Sequence, residues 1–418
     1  MQEQLLQFIW QHQYFDKTEL CTTAGVPVTI LKTGYLNKNN GPDFKEAQII
    51  LDGLHWYGNI EIHVHSSDWW AHEHQYDVQY NNVVLHVVWQ QDKAIFDTNG
   101  RPIPTIELKG RVGLLLLEKY RHLMKKNRTG IACADLFESV PNLKRNAMLH
   151  RTLSERLIRK AERILEDVEI CEGDWVEALY RVLCKYMGFK LNEDGFSALS
   201  SALPYKILSK HKDQALQIEA LLYGVSTLLP RVKTSDENKL RLYKEYEFLK
   251  HKYGLIPVQP LWNYSKIRPA NAPEHRITQL ARFVSKLNLI FDAVVSEHMH
   301  PHALTQHLVQ LSTLADDNWL TKSSKIGTAS VQTLIINVVV PFKAAWVLKE
   351  QQIDRLHVVA EWLEQMPVEL NNITKKWQQL SWYAGNAFES QGQIELFQNY
   401  CTPKRCLQCI IGNQVLKS

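Results

Sequence analysis

The chain has 418 residues, 45% of them apolar and 22% charged, an ordinary globular composition with enough length for two domains that each bury a core. Its 48 basic and 44 acidic residues leave a formal net charge of +4, which permits a polyanionic partner without demanding one. Seven cysteines, an odd number not spread as a disulfide framework, read as reduced thiols.

The N-terminus, MQEQLLQFIWQHQYF, lacks the basic, apolar and small-residue succession of a secretory leader. No apolar run approaches the roughly 20 residues that span a bilayer, TLIINVVVPF being the longest. The expectation is a soluble, cytoplasmic protein with no membrane partner.

Residues 2–13 predict a short amphipathic helix. From Val26 to Leu108 the pattern is that of strands, in VPVTILKTG, EAQIILDG, LHWYGNIEIHVH, VVLHVVWQQ and PIPTIEL, with glycines at the breaks. Between the third and fourth lies WWAHEHQYDVQYNN, polar and about the length of a helix. The order is helix, three strands, helix, strand. From Arg111 onward apolar residues recur at helical steps, as in RTLSERLIRKAERILEDV and DWVEALYRVLCKYMGF, with a proline-rich extended segment around residues 255–276. The fold expected is α+β over residues 1–110, mostly helical over 111–400, and a cysteine-bearing segment over 401–418.

In NNGPDFKEAQIILDGLHWYGNIEIHVH, Asp43 follows a proline at the start of one strand, and the next strand presents Glu61, His63 and His65 at alternate positions. Its other face, Ile60, Ile62 and Val64, is apolar. Two carboxylates on adjacent strands, with a backbone carbonyl between, supply hard oxygen ligands for a divalent ion beside a phosphodiester. A third side chain then orients or deprotonates the attacking water. A solvated sheet face with good turn chemistry at Pro42-Asp43 gives the same pattern without any chemistry.

Over residues 1 to about 90 the element order and these residues resemble the PD-(D/E)xK nuclease superfamily, with its mixed restriction-endonuclease-like sheet. The resemblance implies a hydrolase of phosphodiester bonds in DNA or RNA. Asp43, Glu61 and the Ile62 carbonyl would hold Mg²⁺ or Mn²⁺, and His63 would stand where the family has Lys. His is mostly neutral near pH 7, so it acts as base or ligand rather than as a fixed charge. Glu3 matches the additional acid of some members, and Tyr80, beside Gln79, the Tyr of others. An inactive relative, binding nucleic acid or serving as a scaffold without turnover, is the alternative the missing Lys favours.

A competing metal chemistry comes from histidine density. His63 and His65 at alternate strand positions can chelate zinc or iron, with His72, His74 or Asp68 completing the set. His86, within the apolar VVLHVVW, reads as a core histidine.

Near the C-terminus, YCTPKRCLQCIIGNQ sets Cys401, Cys406 and Cys409 in C-x4-C-x2-C spacing, suited to zinc or to three corners of an iron–sulfur cluster. Cys133, Cys21 or a histidine would supply a fourth ligand. For nucleic acid, Arg156, Arg159 and Arg163 stack along one predicted helix. Lys266, Arg268 and Arg276 interleave with Trp262 and Tyr264, a pattern suited to single strands. Mixed acids on the helix equally suit a solvated face. Taken end to end, NNGPDF, the GNIEIHVH to VVLHVV stretch, RPANAPEHR and YCTPKRCLQCIIG resemble an uncharacterised bacterial family of unknown function, which implies no activity.

Overall fold

The first helix, α1 (Glu3–His12), buries Leu5, Leu6, Phe8, Ile9 and Trp10 along one side, the stripe that an amphipathic helix presents to a sheet. It packs on the central strand of that sheet. The structure is a computed structural model, and it describes residues 1–125, 129–259, 262–265, 267, 271–296, 298–313, 319–321 and 325–417.

The strands are β1 (Val28–Lys32), β2 (Tyr35–Leu36), β3 (Phe44–Leu51), β4 (Leu54–His65), β5 (Val83–Gln90) and β6 (Thr105–Glu107). They form one mixed sheet in the order β1-β3-β4-β5-β6, with β2 on the edge of β3. The β1–β3 and β3–β4 pairs are antiparallel, and β4–β5 and β5–β6 are parallel. Alternation along β4 sends Ile60 and Ile62, both fully buried, to one face and Glu61 and His63 to the other.

Two register shifts flank that stretch. One lies between Phe44 and Ala47 of β3, where Glu46 takes the left-handed conformation (φ 58°); the other lies between Asn59 and Ile60 of β4 in its pairing with β5. Bulges of this kind re-aim neighbouring side chains. Gly58 sits beside the second, and a Cβ there would stand 2.6 Å from the Asn82 carbonyl oxygen and 2.4 Å from Val84. Only glycine lets the strands approach at that point.

The crossover from β4 to β5 departs from the expected single helix. It is a short α2 (Asp68–Ala71) followed by two 3₁₀ turns, His74–Tyr76 and Val78–Tyr80. Glu73 in the left-handed region (φ 58°) stops α2, and Asp77 caps the last turn by accepting from the Gln79 N–H. The segment has no apolar stripe to sustain a helix.

Two compact units divide the chain: residues 1–145 with the segment from Asn399 onward, and residues 146–398. The first unit extends past residue 110 because α3 (Leu114–Met124) belongs to it, Tyr120 donating its hydroxyl to Gln2. The second unit is mostly helical, with a continuous core that includes Leu153, Tyr180, Leu221, Phe283 and Phe342. One helical stretch, Thr328–Lys349, is long and apolar enough to cross a membrane, although no unbroken apolar run in the sequence has that length; 72% of its apolar window is buried inside the protein.

Candidate metal centre

Three elements and a loop converge on one face of the sheet. β4 supplies Glu61 and His63, and β5 supplies His86, which pairs directly with Glu61 in the parallel register. The bulged start of β3 supplies Asp43, and α1 supplies Glu3 and Gln7, one turn apart. The broken crossover then folds back with His72, His74 and Tyr80. A continuous helix would not place these three as the two turns do.

The acids are tied to the backbone and to each other. The Asp43 N–H donates to Glu61 Oε2 at 3.0 Å, the Ile62 N–H donates to Asp43 Oδ2 at 3.1 Å, and Gln7 Nε2 donates to Asp43 Oδ1 at 2.9 Å. Glu61 Oε1 is left facing the imidazoles, 3.5 Å from His63 Nε2 and 3.4 Å from His74 Nε2. His63 Nε2 lies 3.2 Å from His72 Nδ1, and the donor nitrogens of His63, His72 and His74 all fall within 4.8 Å of one another. Metal–ligand bonds of about 2.0–2.1 Å separate neighbouring donor atoms by about 3.0–3.4 Å, so these spacings suit a single transition-metal ion. His74 Nε2 is buried and makes no hydrogen bond, an orphaned lone pair of the kind a metal satisfies.

Around this core the rings are held by packing. His63 Nδ1 and His86 Nε2 are hydrogen-bonded at 2.8 Å, which fixes the His63 ring with Nε2 toward Glu61. His74 stacks on Tyr80 with centroids 3.8 Å apart, and the fully buried Trp69 sets its edge against His74 and His86. His86 is itself fully buried, while His72 reaches solvent.

Electrostatics match a site built around a cation. Burial, then Glu61 and Glu3, push the Asp43 carboxyl up to about 8. Burial and Glu3 push Glu61 up to about 8 against the lowering hydrogen bond from Asp43. Burial, followed by His86, His74 and His72, holds His63 down at about 2, and burial with His74 holds His86 at about 3. Burial also raises Glu3 and lowers His74. Both shifts disfavour net charge on either kind of group, and a bound divalent ion reverses that penalty for the acids.

Of the residues expected from sequence, the fold thus gathers Glu3, Asp43, Glu61, His63, His72, His74 and Tyr80, with the Ile62 amide as a donor to Asp43. His65 lies at the exposed end of β4, where its N–H donates to Asp68 Oδ2, and it stands outside the trio. His86 and Gln7 join the site although only His86, a histidine in an apolar strand, carried a signal.

The arginines expected at a nucleic acid serve other partners. Arg156 is buried and bonds Gln391 Oε1 at 2.8 Å and Glu395 Oε2 at 3.1 Å, and Arg159 bonds the same carboxylate at 2.6 Å. Arg276 is buried over the Phe189 ring and bonds Gln279 and Asn271. Buried guanidinium groups need such partners; Arg156 and Arg276 are buried, Arg159 is half-buried and Arg163 is exposed. Trp262 packs on Gly195 and Phe196, and Tyr264 lies against Arg231. Lys266 and Arg268 lie outside the described residues.

A family model described as Protein of unknown function (DUF2851) matches residues 3–372. No curated protein and no solved structure matches the chain.

Proposed function

We propose, for a chain that belongs to the DUF2851 family of unknown function, a metal-dependent hydrolase of phosphodiester bonds with nucleic acid as its substrate class. One observation carries this reading: Glu61 is shared, with Oε2 bound to the Asp43 backbone and Oε1 facing His63 and His74. The acid pair and the histidine cluster, separate hypotheses at the level of sequence, are therefore one centre. The run of α1, the antiparallel β1–β3–β4, a crossover and the parallel β5 also accords with the element order on which the nuclease resemblance rests.

Three imidazoles and one carboxylate select manganese, zinc or iron over Mg²⁺, which prefers oxygen ligands and retained water. An ion held by His63, His72, His74 and Glu61 would supply a Lewis acid and acidify water beside the phosphate. The protein's own groups do the rest. Asp43, whose carboxyl is pushed up to about 8 by burial and the neighbouring acids, becomes a proton acceptor near neutral pH once a cation at the centre lowers it. His86 keeps the His63 tautomer, and the side at His72 admits substrate.

A second reading has its own observation. The three imidazole donors, with Glu61 Oε1 beside two of them, would make a four-donor shell of the kind structural zinc sites have. The deciding experiment measures bound metal and Mn²⁺-dependent cleavage of single- and double-stranded DNA and RNA by wild type, Glu61→Gln and Asp43→Asn. Cleavage by wild type, lost in both variants while Asp43→Asn keeps its metal, is expected. Stoichiometric metal without cleavage of any substrate makes the centre structural, and cleavage surviving in Glu61→Gln overturns the assignment.

A further inference from the structure

Three of the seven cysteines, Cys401, Cys406 and Cys409, lie close in sequence, and the fold brings Cys133 to them from far away in the chain. Cys133 immediately precedes the 3₁₀ helix Ala134–Ser139, and the C-terminal helix Ile410–Lys417 packs on that element and on α3. Cys406 opens the 3₁₀ turn Cys406–Gln408, and Cys409 directly precedes the C-terminal helix. Their turn is tight, the Cys409 N–H donating to the Cys406 carbonyl at 3.3 Å. A Cβ at Gly412 would stand 2.2 Å from that same carbonyl, so the helix presses directly on the cysteine turn.

Cys133, Cys406 and Cys409 are buried and Cys401 is half-buried. No disulfide joins them. The thiols stand near one another: Cys133 lies within electrostatic reach of Cys409 and Cys406, and Cys401 within reach of all three. Lys404, whose ammonium donates to the Met124 carbonyl, is a cation near Cys406. The remaining cysteines are elsewhere: Cys21 lies in an isolated bridge with Pro27, and Cys171 and Cys184 lie in the core of the helical unit.

We propose that Cys133, Cys401, Cys406 and Cys409 ligate one thiolate-bound metal centre, an iron–sulfur cluster or zinc, which fastens the returning C-terminal segment to the N-terminal unit. Four thiols with x4 and x2 spacing match the ligand demand of either. Among the described residues the histidine trio is the group of three whose donor atoms lie inside 4.8 Å of one another. The centre is independent of the histidine site, and the two are separable by mutation.

The test uses the full chain purified without oxygen, assayed for iron, zinc and acid-labile sulfide and for visible absorption. We expect metal that persists in His63→Ala/His74→Ala and in Cys21→Ser, that falls in Cys133→Ser and Cys406→Ser to what the histidine site alone holds, and whose removal exposes the segment after Asn399 to protease. Iron with sulfide identifies a cluster; zinc without sulfide identifies a tetrathiolate ion. X-ray absorption of the wild type covers the case of variants that do not fold, with sulfur-dominated coordination expected. Metal unaffected by Cys133→Ser, or a wild type whose only metal depends on the histidines, overturns the proposal.

Discussion

Glu61 and His74 meet with Oε1 3.4 Å from Nε2, although one lies mid-strand and the other begins a 3₁₀ turn after a left-handed residue. The buried His74 nitrogen makes no hydrogen bond. A carboxyl oxygen and an imidazole nitrogen face each other across a metal-sized gap, and this pair ties the acid and histidine groups into one centre.

His63→Ala and His74→Ala should each remove the metal ion of this centre, measured by elemental analysis after dialysis, whereas His65→Ala should retain it. His86→Ala removes no ligand but frees the His63 ring, and affinity should fall about 10- to 100-fold in a competition titration. Unchanged affinity would leave His86 as packing alone.

Catalysis separates Asp43 from the ligands. Asp43→Asn keeps the shape and the hydrogen bond from the Ile62 N–H while losing the proton acceptor. Cleavage should fall about 10²- to 10⁴-fold with metal content unchanged. Equal activity would place the proton acceptor elsewhere.

Stability against pH should have a plateau with two declining limbs in metal-stripped protein. Asp43 and Glu61, at about 8 when folded, bind protons that the unfolded chain releases near pH 4, so their contribution is fully present below that value and is lost as pH rises toward 8. His63 and His86, at about 2 and 3 when folded against 6.5 unfolded, contribute above 6.5 and lose that contribution as pH falls. The opposing slopes cancel between about pH 4 and 6.5, leaving declines above and below. Asp43→Asn/Glu61→Gln should flatten the alkaline limb in urea titrations, and added metal should abolish it in wild type. An alkaline limb that survives in the double variant would refute this account.

In the helical unit, Glu219 and Arg282 form a buried pair at 2.8 Å, with Glu219 also accepting from the Leu320 N–H and Arg282 lying over Trp319. Glu219→Ala leaves an uncompensated buried guanidinium and should cost about 3–5 kcal/mol in chemical denaturation. A loss under 1 kcal/mol would mean that water or rearrangement satisfies Arg282.

Much of the sheet was legible because strand alternation is local. The five long strand patterns, the first helix within one residue at each end, and the shared face of Glu61 and His63 follow from periods of 2 and 3.6. The single crossover helix did not form, because a polar segment containing Glu73 and Asp77 can satisfy its backbone in turns. Arg156 and Arg159 read as a basic face, since nothing near them in sequence announces Glu395 as their partner.

By itself the sequence determined which residue types were available and which face of its own element each would occupy: Asp43 before a strand, Glu61 and His63 on one side of the next, three cysteines within one short segment. Only the tertiary structure decided that His72 and His74, rather than His65, complete the histidine group, that His86 sets its orientation, and that Cys133 is the cysteine brought to the C-terminal three. The physical reason is one of range. Backbone periodicity is set by neighbours a few residues away, whereas strand register, bulges and the path of a broken crossover arise from packing between segments the chain keeps far apart.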